Sequence, residues 1–146
     1  MTTDGSLVGV GVDLAGVDRL MAALQRRAAL ASRLFTETEL VAVAEEQPLQ
    51  VAQRFAAKEA VMKALGVGID SVRFTDVEVA GDLGSVRLRG SAADRAAHLG
   101  ATSVTLEVDA TTGPDGEVAV ARAEARGRPS RSASVTTRTQ RPELRQ

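Results

Sequence analysis

The sequence predicts an α+β domain, an antiparallel sheet with packed helices. A strictly alternating run, LVGVGVDL, opens the chain, apolar residues at helical spacing occupy most of residues 17–65, and short β-type runs separated by Gly- and Asp-rich turns follow. With 146 residues, 44% apolar and 25% charged, the chain can bury one core, and residues 1–125 read as that domain.

In the first run, Val8, Val10, Val12 and Leu14 lie on one side, and Leu7, Gly9, Gly11 and Asp13 on the other. Two glycines weaken a strand, so their place beside Asp13 predicts close approach of a helix, another backbone or a ligand. Val17, Leu20, Met21, Leu24 and Ala28 predict a helix from about Val17 to Arg33, with Arg19, Arg26 and Arg27 on its other face. Thr36-Glu37-Thr38-Glu39 has the Ser/Thr-x-x-Glu form of a capping box and opens a second, short helix. A third helix runs from about Pro48 to Leu65 and stops at Gly66, where a left-handed cap is easily adopted.

Beyond Gly68, strands are expected over Asp76–Val79 and Val86–Leu88, joined by Gly81, Asp82 and Gly84. Ser91 and Asp94 open a small helix that ends at Gly100, and a hairpin pairs Ser103–Val108 with Val118–Ala123 across TTGPDG. Residues 126–146 differ in kind: they hold six Arg against Glu143, net +5, whereas residues 1–125 hold 12 basic and 18 acidic side chains, net −6. With two prolines and few large apolar residues, this basic tail is expected to be disordered, either a plain solvated extension or an attractor of an acidic partner or nucleic acid. The acidic balance of the remainder argues against a nucleic-acid-binding body.

The absence of Cys, Trp and Tyr, with three Phe and one His, excludes a disulfide scaffold, a thiolate or multi-His metal centre, a Cys nucleophile and a base-stacking platform. No apolar run approaches the roughly 20 residues that span a bilayer, and MTTDGSLVGV lacks the pattern of a secretory signal, so a cytoplasmic protein without a membrane partner is expected.

The third predicted helix carries the chemistry. Projected at about 100° per residue, Val51, Phe55, Val61, Met62 and Leu65 share an arc that also contains Arg54 and Lys58. Glu59 borders the arc beside Phe55, Lys63 lies further round, and Ala52, Ala56, Ala60 and Ala64 form the opposite face, a pattern expected of a helix with neighbours on both sides. Unpaired cations inside an apolar stripe cost several kcal/mol. Either an anionic ligand, phosphate foremost, neutralises Arg54 and Lys58, or both snorkel past the rim while Glu59 and Lys63 form an i, i+4 pair. Asp13, at a glycine-faced strand end, could reach Glu59 across a helix-on-strand contact. Two carboxylates with Lys and Arg nearby suit Mg²⁺ and a phosphate substrate, and so metal-assisted phosphoryl-type transfer.

The segments VGVGVDLAGVDRL, LFTETEL and RFAAKEAVMKALGVGI, in this order over roughly residues 7–70, resemble the holo-acyl-carrier-protein synthase family of 4′-phosphopantetheinyl transferases, and Phe74–Val79 (FTDVEV) extends the match. The resemblance implies that family's fold. It also implies transfer of the 4′-phosphopantetheine arm of coenzyme A to a serine of an acyl carrier protein in fatty acid or polyketide biosynthesis, with Mg²⁺ and release of adenosine 3′,5′-bisphosphate. By it, Asp13 and Glu59 match the two magnesium-ligating carboxylates, and Glu59 helps deprotonate the serine, directly or through a water. Lys63 matches a lysine that stabilises or protonates the leaving phosphate. Arg54, Lys58 and Gly66 match coenzyme A phosphate positions, and Arg19, with Arg26 adding to it, matches an arginine that docks the acidic carrier protein. A homotrimer with active sites between subunits is implied as well.

Where the family has a strand like HVSLSHT that helps hold coenzyme A, this chain has SVTLEVDAT, with Ser103 and Val108 at the two histidine positions and a negative Glu107 between them. Val67 replaces the hydroxyl residue common between Gly66 and Gly68, and His98 reads as a surface residue. The altered strand motivates the alternative of a non-catalytic trimeric relative that binds carrier protein as an interaction factor.

Overall fold

The computed structural model describes residues 5–66 and 71–128. Its elements, in chain order, are β1 (Ser6–Gly16), α1 (Val17–Arg26), α2 (Leu30–Leu34), α3 (Glu37–Glu45), α4 (Pro48–Ala64), a 3₁₀ turn (Phe74–Asp76), β2 (Val77–Val79), β3 (Val86–Leu88), α5 (Gly90–Leu99), β4 (Ala101–Gly113) and β5 (Gly116–Gly127). β1, β5 and β4 form one antiparallel sheet in that order, and β2 pairs with β3 in a second. The α+β expectation holds.

α4 lies against the large sheet because both surfaces are built of small residues. A Cβ on Gly9 would stand 1.8 Å from the Ala64 carbonyl oxygen, and one on Gly11 1.9 Å from that of Ala60. Ala52, Ala56, Ala60 and Ala64 of α4 meet Ala119, Ala121, Ala123 and Ala125 of β5, all of them buried. The glycines of β1 thus clear a surface for a helix, one of the occupants their spacing allows. α3 and β2 cover the other side of α4, with Phe55 of α4 stacked on Phe74, ring centroids 5.8 Å apart.

The alternation of β1 places its small residues inward and its large ones outward. Val10, Val12 and Leu14 are 44%, 51% and 63% exposed, an apolar stripe along the edge of the sheet face opposite α4.

The first helix is shorter than expected: α1 ends at Arg26, Arg27 is extended, and α2 restarts the helix at Leu30. Residues 25–29 are all exposed and supply no large apolar side chain to pack, and packing rather than propensity sustains a short helix. The capping box forms as expected, with Glu39 N donating to Thr36 Oγ1 at 3.1 Å and Thr36 N donating to Glu39 Oε1 at 2.9 Å. Gly100 ends α5 in the left-handed region at φ 77°.

The last hairpin extends well beyond its predicted ends, since Gly113 pairs with Gly116 across Pro114-Asp115 and β5 continues to Gly127. Arg126 and Gly127 pair with Leu7 and Ser6 of β1, and Arg128 N donates to Gly100 O at 2.9 Å. The domain therefore runs at least three residues past the expected boundary at residue 125. The remainder of the basic tail, 129–146, and the Val67–Gly68 part of the glycine loop lie outside the described residues. No described helix is long and apolar enough to cross a membrane.

Candidate active site

The register of β1 puts Asp13 on the α4-facing side, between Gly11 and Ala15, and buries it. Gly11 makes room for the stem of Lys63, whose Cβ would lie 2.8 Å from a Cβ on that glycine. Lys63 then reaches β1, its Nζ 2.7 Å from Asp13 Oδ1 and 3.1 Å from the Val12 carbonyl oxygen, while remaining half-exposed. Glu59, one turn before Lys63, is half-buried beside the same carboxylate. The structure brings Asp13 and Glu59 together, as the helix-on-strand contact predicts, and adds Lys63, whose place beside them only the resemblance implies.

The electrostatics show what this trio lacks. Burial first, then the charge of the neighbouring Asp13 carboxylate, push the Glu59 carboxyl up to about 7, with Lys63 opposing. The hydrogen bond to Asp13 holds the Lys63 ammonium above its usual range. Asp13 Oδ2 is buried and has no hydrogen-bond partner among the described residues. Two adjacent carboxylates and one lysine leave negative charge in excess, which a proton on Glu59 or a cation between the pair would relieve. Among the described residues no third His, Cys, Asp or Glu joins them. A two-carboxylate set completed by phosphate oxygens and water suits Mg²⁺.

Arg54 and Lys58 depart from both sequence-based explanations. Each is fully buried. Lys58 Nζ donates to Glu39 and lies 5.8 Å from the Phe35 ring centroid. Arg54 donates from Nε to Glu46 Oε1 at 2.9 Å and from Nη1 to the Val79 carbonyl oxygen at 2.5 Å. Burial lowers the Lys58 pKa, with Glu39 opposing the shift. In this arrangement the two cations do not snorkel: Glu39 and Glu46 pair with them inside the fold, and Arg54 Nη2, 2.9 Å from Glu46 Oε1, is buried without a hydrogen-bond partner among the described residues. Sequence reasoning missed these two carboxylates, although Glu39 was already conspicuous as the third helical residue of the capping box.

Gly66, also expected at phosphates, is exposed at φ 70° at the end of α4. Beside it, Arg95 of α5 donates from Nε to the Leu65 carbonyl oxygen at 2.9 Å, a cation near the loop that the sequence did not single out. Arg19 and Arg26 are exposed on α1, and Arg27, just beyond its end, is exposed as well. On β4, Val104, Leu106 and Val108 face α4, while Ser103, Thr105 and Glu107 are exposed on the other face, Glu107 opposite Arg122. His98 is exposed on α5.

A family model described as the 4′-phosphopantetheinyl transferase superfamily matches residues 9–121. The holo-[acyl-carrier-protein] synthase of Streptomyces coelicolor is 47% identical over 112 residues, 72% of this chain and 90% of that protein. The protein of the same name from Frankia casuarinae is 44% identical over 119 residues, 80% of this chain and 94% of its own length. Among solved structures, the Neisseria meningitidis holo-[acyl-carrier-protein] synthase superposes with TM-score 0.65 at 28% identity, covering 82% of this chain and 98% of that one. A synthase–coenzyme A complex from Chronobacterium ammoniagenes gives TM-score 0.62 at 25% identity, covering 84% and 98%.

Proposed function

This chain belongs to the 4′-phosphopantetheinyl transferase superfamily, and from that premise we propose that it transfers the 4′-phosphopantetheine group of coenzyme A to a serine of an acyl carrier protein. The observation that carries the reading furthest into this chain is the convergence of Asp13, Glu59 and Lys63 where β1 meets α4. The same convergence favours catalysis over the alternative of a carrier-binding protein without activity.

In the transfer, the serine oxygen bonds to the phosphorus bearing the pantetheine arm, and the P–O bond to adenosine 3′,5′-bisphosphate breaks. Glu59, with its carboxyl near 7, is poised to take the serine proton once it has lost its own. Lys63 remains cationic and is held at the mouth of the site by Asp13, where it stabilises negative charge on the departing phosphate. Asp13 and Glu59 are the residues that would hold Mg²⁺, and the unpartnered Asp13 Oδ2 fits such a role. When bound, the ion supplies positive charge to the phosphate oxygens. Gly66 and the nearby Arg95, at the end of α4, are the candidates for the nucleotide phosphates. Arg54 and Lys58 are held in buried ion pairs that join α4 to Glu39 of α3 and Glu46 at its end.

Arg19 and Arg26 provide an exposed basic face on the helix that leaves the Asp13 strand, suited to steering an acidic carrier protein. The reading carries with it a cytoplasmic setting in fatty acid or polyketide biosynthesis, and a basic tail appended to one catalytic domain. The apolar stripe of Val10, Val12 and Leu14 supports a homotrimer with sites between subunits. Leu14→Asp is then expected to yield monomers in light scattering; an undiminished trimer would place the interface elsewhere.

Intact mass spectrometry of apo carrier proteins incubated with the protein, coenzyme A and Mg²⁺ tests the function. A gain of the phosphopantetheine mass that EDTA abolishes is expected. No gain on any carrier, beside a synthase that loads them, would overturn the reading.

A further inference from the structure

We propose that Glu39 is a positioning residue for the acidic pair: through Lys58 it fixes the rotation of α4 about its own axis, and so the place of Glu59 against Asp13. The proposal rests on the functional reading above for what that pair does. Glu39 is buried on α3, and its carboxylate gathers donors from three elements. It accepts from Thr36 N at the start of α3 at 2.9 Å, from Val79 N of β2 at 3.2 Å and from Lys58 Nζ of α4. Arg54 Nη1, one turn before Lys58, lies 3.9 Å from its Oε2.

The opposite face of α4 packs on the sheet mainly through alanines over Gly9 and Gly11, with Lys63 and Gln53 reaching β1 and β4 from its flanks. The alanines hold the helix close to the strand but discriminate weakly between rotations, and the long side chains of Lys63 and Gln53, bonded at exposed positions, can follow a small turn. A buried ion pair discriminates strongly, since a shifted lysine loses its partner without reaching water. Lys58 and Glu59 are consecutive, about 100° apart around the axis, so a rotation that moves one moves the other. At a radius of about 5–6 Å, a 10° turn displaces a carboxylate by about 1 Å. A misplacement of that size can cost roughly 100-fold in rate. The carboxylate that closes the capping box therefore also sets the angle from which α4 presents Glu59.

The test uses the full chain as parent, Glu39→Gln, Lys58→Met and the double variant Glu39→Gln/Lys58→Met, read by melting temperature, Mn²⁺ affinity and carrier-loading kinetics well below the lowest melt. Glu39→Gln leaves the Lys58 charge unpaired and melts lowest. The double variant leaves neither charge of that pair, with Arg54 keeping Glu46, and regains most of the melting temperature. Lys58→Met keeps Glu39 on Arg54 and two backbone donors, and folds. In Lys58→Met and the double variant, Mn²⁺ affinity is expected to fall about tenfold or more and kcat with it, while KM for coenzyme A stays within about twofold. Parent-like Mn²⁺ affinity and kcat in either of these folded variants would show that Glu39 only stabilises the fold, and would overturn the proposal. A parent that binds no Mn²⁺ would instead remove the metal assignment of Asp13 and Glu59. The positioning role is then judged on kcat, where loss supports it and parent-like turnover overturns it.

Discussion

Glu59→Gln is expected to reduce carrier loading by roughly 10²–10⁴-fold and, without a divalent ion, to make the chain more stable at pH 8. The amide keeps the shape of the side chain but neither takes the serine proton nor contributes charge to a metal site. The stability gain follows from the direction of the shift. The Glu59 carboxyl is raised from 4.5 to about 7 in the folded chain. A carboxyl raised on folding leaves stability intact below its unfolded value and erodes it as pH rises through the folded value. The substitution removes that erosion, which in this half-exposed setting is about 1 kcal/mol after allowing for solvent screening. The melting temperature should rise by about 3 °C at pH 8 and change little at pH 4. Parent-like loading, or a lower melting temperature at pH 8, would contradict the account.

The second large effect is on the scaffold. In Gly11→Ala the new Cβ falls 1.9 Å from Ala60 O and 2.7 Å from Ala64 N, both backbone atoms of α4, and 2.8 Å from the Cβ of Lys63. Backbone cannot swing aside as a flexible side chain can, so α4 must move off β1. We expect a loss of about 3 kcal/mol, a melting temperature lower by roughly 10 °C, and impaired catalysis because Glu59 and Lys63 shift away from Asp13. Gly81→Ala is the control, since nothing lies within 4 Å of a Cβ there. If Gly11→Ala melted and turned over like the control, close packing of α4 on β1 would not be what assembles the site.

This dependence of the site on small residues explains why the approach of Asp13 to Glu59 was legible in the sequence, whereas the place of Lys63 came only from the family resemblance. Glycines in a strand and alanines every fourth residue of a helix are local signals of close approach, and the charged residues beside them inherit the contact. The capping box is likewise complete within four residues. What the sequence concealed depends on distant partners. Lys58 is buried against a carboxylate 19 positions earlier, so inspection of its own helix could not distinguish a ligand site from an internal ion pair. β1 misleads in another way: alternation reveals two faces but not which is inward, and here the core takes the glycine side. The hairpin was read short because alanine alternating with Arg and Glu is a weak strand signal, whereas pairing with both β1 and β4 carries β5 to Gly127.

Mn²⁺ binding measured from about pH 6 to about pH 8 tests most directly whether Asp13 and Glu59 form one metal-holding pair. With the Glu59 carboxyl near 7, only about a tenth of the sites are ionised at the lower pH and about nine tenths at the upper, so affinity should tighten by nearly tenfold, with proton release. Asp13→Asn should bind weakly at every pH. Affinity that does not change with pH, or that survives in Asp13→Asn, would contradict the assignment of these two carboxylates.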